Sequence, residues 1–266
     1  MVATRVIAQL HSESPRALSL HSGRSGVHTS RTMMFKELSI LLQRLPIDAS
    51  RTAFQEAVIN DNVLGKTTIS SRKRTFEHLV SLYVLDPTAP IFRLLRHFWQ
   101  LDATGRPLIC LVAARARDNL LQLGTDFILP LKLGSVYNRA EFEIFISDSF
   151  PGRFSEKMRR SLAQNIAATF TQAGFLKGKV KKIRVEPHSS VGAVSLALAV
   201  TQMAGDLGRS PWDSPCFRIL GLTRATGESL AREASRRGWI EYSQLGEAQA
   251  LSFRHLAHDL RVMELS

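Results

Sequence analysis

Residues 153–187, RFSEKMRRSLAQNIAATFTQAGFLKGKVKKIRVEP, combine a capped amphipathic helix, a glycine stop and a short extended run. Ser155 is a residue type whose side-chain oxygen caps the free N–H groups of a first helical turn. Met158, Leu162, Ile166, Phe170 and Ala173 then recur at spacings of three and four, so they share one helical face. Gly174 stands where such a helix stops in the left-handed conformation. After Phe175-Leu176 and a turn at Gly178, the run from Val180 to Val185 alternates like a strand. At about 100° per residue, Lys157, Arg160, Gln164 and Thr171 fall opposite the apolar face. A basic helix, a tight stop and a basic strand together form a platform for phosphates and base edges. A solvated helix followed by a lysine-protected edge strand is the other reading of the same residues.

The remaining composition supports a folded chain with an unusual charge. Of 266 residues, 44% are hydrophobic and 22% charged, enough apolar material for one large or two small cores. Thirty-five Lys and Arg against 23 Asp and Glu leave +12, which favours polyanionic partners and says nothing about fold. Cys110 and Cys216 are far apart and in apolar surroundings, so neither a disulfide framework nor a paired-cysteine zinc site is expected; a reducing, cytoplasmic setting fits. The longest apolar run, residues 191–204, is too short for the roughly 20 residues that span a bilayer. It reads as a buried core helix, with no membrane span.

Taken in order, residues 1–30 are rich in Ser, His, Arg and Gly and read as a flexible N-terminal arm. Residues 31–150 read as an N-terminal helical domain. Its first helix covers 33–45 and ends before Pro46; a second, at 52–60, opens on Thr52 with Gln55 as a capping box. The cluster Arg72-Lys73-Arg74 opens a helix running to Leu85, where cations oppose the helix dipole. Further helices start at Asp86-Pro87, cover 107–121, and open on Asn138 with Glu141. Residues 151–266 form a C-terminal basic helix and hairpin domain. Its tail, a helix capped by Thr223 and a hairpin across residues 245–247, has the order of a winged helix. The fold class is therefore mainly α: a helical bundle with one or two short β-hairpins in winged-helix-like units.

Catalytic signatures are missing. Gly65-Lys66-Thr67 invites a phosphate-loop reading, but the glycine needed five positions earlier is Asn60. There is no GxSxG, HExxH or strand-linked GxGxxG pattern, and the eight histidines are scattered without metal-ligand spacing. Asp126, Glu141, Glu143 and Asp148 lack the adjacent Glu-x-Lys spacing of a metal-dependent nuclease. The chain reads as non-enzymatic, with no cofactor and no metal. Trp99, Trp212, Trp239 and Phe154 read as core residues.

Four separated segments resemble the BrxA family of the BREX anti-phage systems. They are NVLGKTTISSRKRTFEHLVSLY, FRLLRHFWQLDATGRPLICLVAARARDNLL, the stretch at 153–187, and SPCFRILGLTRATGESLAREASRRGWIEYSQLGEAQALSF. Together they cover about residues 33–254. The resemblance implies a mostly helical, non-enzymatic DNA-binding protein acting beside a methyltransferase, an ATPase and a phosphatase-like component. It supplies no catalytic motif, only a DNA-binding role for the matching basic positions.

The contact surface expected for double-stranded DNA has three parts. One is the cluster Arg72, Lys73 and Arg74. The second is the helix with Arg153, Lys157, Arg159 and Arg160, where Gln164 and Asn165 are the candidates for base reading. The third is the run Lys177, Lys179, Lys181, Lys182 and Arg184. Three alternatives stay open: a winged-helix transcriptional regulator, an assembly scaffold holding an acidic protein, and an RNA-binding factor.

Overall fold

Residues 191–203 contain no charged side chain and, apart from Ser195, Thr201 and Gln202, no polar one, so a helix built from them must be covered on nearly every side. The computed structural model, which describes residues 26–204, 210–245, 248–254 and 256, puts that helix at the centre. Eleven α-helices run through the described residues: α1 (Phe35–Arg44), α2 (Arg51–Ile59), α3 (Ile69–Tyr83), α4 (Pro90–Leu101), α5 (Arg106–Arg117), α6 (Leu121–Phe127), α7 (Arg139–Ser149), α8 (Glu156–Gln172), α9 (Val191–Met203), α10 (Pro215–Arg218) and α11 (Arg224–Arg236). Two antiparallel pairs complete the fold, β1 (Leu176–Lys177) with β2 (Ile183–Arg184) and β3 (Glu241–Leu245) with β4 (Ala248–Ser252). The mainly helical class with short hairpins is the one the sequence indicates. In α9, eleven of thirteen residues are buried, packed against α4, α5, α10 and α11. The buried residues form one contiguous cluster on both sides of residue 150, the expected domain boundary.

Local chemistry sets most helix ends, with instructive shifts. Ser155, Asn138 and Thr223 cap α8, α7 and α11 as expected. α2 is capped by Ser50, whose side chain accepts from Ala53 N–H, rather than by Thr52. Pro87 does not start a helix: Asp86 closes a turn onto Thr88, and Pro90 supplies the first residue of α4. α5 ends at Arg117 instead of continuing to 121. The chain is extended at Asp118, whose carboxylate accepts from Leu120 N–H before α6 begins. Residues 205–209, and 246–247 at the tip of the expected tail hairpin, lie outside the described residues.

The last five residues of the expected arm at 1–30 pack against the fold. Residues 1–25 are not described, but Val27 and His28 are buried. From there the chain runs along one flank of α8: Asn165 Nδ2 donates to the His28 carbonyl (3.0 Å) and Ser161 Oγ to the Thr29 carbonyl (2.9 Å). Two turns on, Met33 N–H donates to Thr169 Oγ1 (2.8 Å). This strap leaves only the opposite flank of α8 in water.

The tryptophans are core residues. Trp99 packs against Phe35, Trp212 edge-on against Phe217 and Tyr242, and half-buried Trp239 reaches Phe98 on α4. The segment leading into the tail hairpin thus meets the N-terminal helices through one aromatic pair, Trp239 with Phe98.

Candidate nucleic-acid interface

The face of α8 turned from the core carries Lys157, Arg160 and Gln164, all exposed, at spacings of three and four. Thr171, half-buried, continues the stripe by two more turns, about 10 Å along the axis at 1.5 Å per residue. Lys182 Nζ donates to Thr171 Oγ1 (2.8 Å) and to the Gly178 carbonyl (3.4 Å), which ties the basic turn after β1 to the end of that stripe. Burial of Lys182 lowers its pKa from the usual lysine value.

The turn exists because of Gly178. Its φ is +116°, and a Cβ there would lie 2.0 Å from the Lys181 carbonyl oxygen, so only glycine lets the chain fold back this tightly. Between the turn, α8 and the start of α7 lies an open cleft of about 720 Å³. Gln164 and Ala167 line it from α8, Lys179, Val180 and Lys182 from the turn, and Asn138, Arg139 and Glu141 from α7. Three cations face one carboxylate; Arg139 also bonds Glu143 (3.1 Å), while Glu141 accepts from Asn138 Nδ2 (2.8 Å). The segment before α7 adds a third extended piece to the small sheet, with Tyr137 N–H donating to the Lys182 carbonyl and Arg184 N–H to the Ser135 carbonyl, each at 2.9 Å.

The structure sorts the expected contact residues. Lys157, Arg160, Gln164, Lys177, Lys179 and Lys181 are exposed on the stripe and turn, although Arg160 also pairs with Glu156 at 3.1 Å. Arg153 is exposed beside the Phe150 and Phe154 rings, 4.7 and 4.9 Å from their centroids. Arg159 is half-buried and donates to the Phe154 carbonyl (2.8 Å). Two residues turn away from solvent. Asn165 is held by the strap, which leaves Gln164 as the polar, uncharged side chain of this pair open to a ligand. Arg184 is buried over the Phe175 ring and donates to the Val185 and Phe175 carbonyls. The expected six-residue strand is correspondingly short: β2 has two residues, Ile183 points out and Arg184 in. Burial lowers the Arg184 pKa from the usual arginine value.

The Arg72-Lys73-Arg74 cluster belongs to α3, which packs on α2 and α5 and contributes nothing to the cleft. Arg72 donates to the carbonyls of Ile59 (3.2 Å) and Lys66 (3.4 Å), closing the end of α2; Lys73 and Arg74 are exposed.

A second basic face went unread in the sequence. Helices α9, α10 and α11 followed by β3 and β4 have the order of a winged helix. Arg224, Arg232 and Arg236 are exposed on α11, and Arg237 at its C-cap. Ion pairs partly offset them, Arg224 with Glu228 and both Arg236 and Arg237 with Glu233, while Arg232 donates to Gln244 on β3 (3.0 Å). The signal was present as Arg224, Arg232 and Arg236, eight and four residues apart and so on one helical face of RATGESLAREASRR.

Among the described residues no cluster of three or more His, Cys, Asp or Glu side chains can hold a metal ion, and no helix is long and apolar enough to cross a membrane. Comparison of the chain with protein-family models, curated proteins and solved structures gives no match, so the BrxA resemblance rests on the four quoted segments alone.

Proposed function

We propose that the chain binds double-stranded DNA without cutting or modifying it, mainly through phosphates. The observation that carries this reading is the convergence of the α8 stripe with the lysine turn around one open cleft. Six cations, Lys157, Arg160, Lys177, Lys179, Lys181 and Lys182, lie along that surface, and Gln164 is placed to meet a base edge. Neutralising six phosphates gives a slope of log K against log salt of about −5.

The test is a salt-titrated binding assay on random duplex DNA, with matched RNA and single strands in competition. Lys177, Lys179 and Lys181 are exposed, so changing all three to Ala removes charge without opening the core. The expected result is preferential duplex binding whose slope falls from about −5 to about −3 in the variant. Affinity nearly independent of salt sinks the proposal. Failure to bind any nucleic acid at low salt hands the basic face to an acidic protein partner.

The arrangement of the tail favours a second reading, a winged-helix regulator that places α11 in the major groove. It predicts sequence-specific footprints that Arg232→Ala and Arg236→Ala abolish and the triple lysine variant leaves in place. Through the BrxA resemblance, the setting we propose for DNA binding is bacterial phage defence beside methyltransferase, ATPase and phosphatase-like partners. Co-purification with those components tests that setting separately from DNA binding.

A further inference from the structure

An apolar side chain at the tip of a polar turn gains free energy only when a partner removes it from water. Val180 is 96% exposed, the extreme among the large hydrophobic residues of the described chain. It sits at the apex of the Gly178 turn between Lys179 and Lys181, both exposed. It does not stand alone: Val136, 46% exposed, lines the same cleft, and Ile183, 37% exposed, is bridged to Val136 in the small sheet. A small apolar ridge therefore rises out of a lysine-rich surface. The backbone beneath it is fixed by the glycine turn and by Lys182 bonded to Thr171, so the apex is held in place.

Resting on the DNA-binding reading above, we infer that Val180 is a wedge that enters the minor groove and bends the duplex. The minor groove is about 6 Å wide, which admits a turn apex and not a helix. Its walls are apolar sugar edges rimmed by phosphates, the complement of a valine flanked by two ammonium groups. Apolar side chains pushed against base steps unstack them and kink the helix by about 20–90°, with phosphate contacts compensating the cost. Flexible pyrimidine–purine steps such as TA kink most readily and A-tracts resist, so the preferred sites are set by deformability, with no base-specific hydrogen bond from Val180.

The experiment uses the full chain and short duplexes with a donor and an acceptor dye at the two ends, one series carrying a central TA step and one an A-tract. Energy transfer reads the bend, and anisotropy on the same samples reads affinity. Val180→Ser removes the apolar tip and, at a fully exposed position, leaves folding intact; Val180→Leu keeps the tip. The expected result is a bend with the wild type and Val180→Leu, larger on TA than on A-tract. Val180→Ser is expected to bind within about threefold of wild type with the bend lost. Tight binding to straight DNA, or an unchanged bend with Val180→Ser, overturns the wedge and leaves the DNA reading standing. Absence of binding overturns both, and recruitment to phosphatidylserine vesicles without any bend assigns the ridge to a lipid surface instead.

Discussion

Asp118→Ala is expected to lower folding stability by about 3–5 kcal/mol, because several buried donors lose their acceptor at once. The carboxylate is 2% exposed and accepts from His28 N–H (3.0 Å), His28 Nδ1 (2.9 Å) and Leu120 N–H (2.9 Å). Beyond it, the His28 ring meets Thr169 Oγ1 through Nε2 (3.0 Å), and that oxygen accepts from Met33 N–H. Alanine leaves three polar groups of His28 and Leu120 without a partner where water cannot reach, and each orphan costs about 1–3 kcal/mol. The strap at 26–35 would lose its anchor on the α5–α6 connection and keep its bonds to α8, behind the proposed DNA surface. Burial raises the pKa of Asp118, but the hydrogen bonds from His28 and Leu120 outweigh it and hold the carboxyl below its usual value. A depressed folded pKa means that this stabilisation is present above the unfolded value of about 3.9 and is lost as pH falls through the lower folded value. Denaturant melts from pH 7 to pH 2 measure both effects. A loss under 1 kcal/mol at pH 7 would show that the strap contributes little to folding.

What neighbours in the chain decide is legible in the sequence. The α8 face was legible because caps, a glycine stop and apolar spacing are all local signals, and α9 because thirteen residues without a charge leave little to face water. Arg184 was not legible. Alternation places it with Val180 and Lys182, yet only the fold shows that its face meets the Phe175 ring and two open carbonyls. His28 and Asp118 lie 90 residues apart, and His28 and Thr169 lie 141 apart; no spacing rule links them. The strap consequently read as a loose arm. The same limit hid the cleft, since Arg139 joins the lysine turn only after the segment before α7 pairs with β2. Gln164 and Asn165 are adjacent in sequence and opposite in role, because the strap covers one flank of α8 and leaves the other bare.

Asp102→Ala is expected to cost about 2–3 kcal/mol, less than Asp118→Ala because the site is half-buried and water can reach part of what is orphaned. One carboxylate here joins three helices. At the end of α4 it accepts from Gly105 N–H (2.8 Å) and Thr104 Oγ1 (3.1 Å), and on its other oxygen from Ser190 Oγ (2.8 Å) and Gly192 N–H (3.0 Å) at the start of α9. Ser190 itself caps α9 through Ala193 N–H (2.9 Å). Burial works against the charged carboxyl, but these four hydrogen bonds prevail and its pKa is lowered, an arrangement that also suits a negative group at a helix N-terminus. The helices come this close because Gly105 and Gly192 carry no side chain: a Cβ on the first would lie 2.1 Å from Ser190 Oγ and on the second 2.8 Å from Asp102 Cβ. Asn at 102 keeps one acceptor oxygen and turns an amide toward groups that also donate, so its expected cost is intermediate. Since α9 bears α10, α11 and the tail hairpin, loosening its first turn should also raise amide exchange in α11 and leave the lysine turn unchanged. Equal stability of the Ala and wild-type proteins would mean that α9 is held by apolar packing alone. Exchange that rises only near Asp102 would mean that the tail is anchored independently, through Trp239 on Phe98.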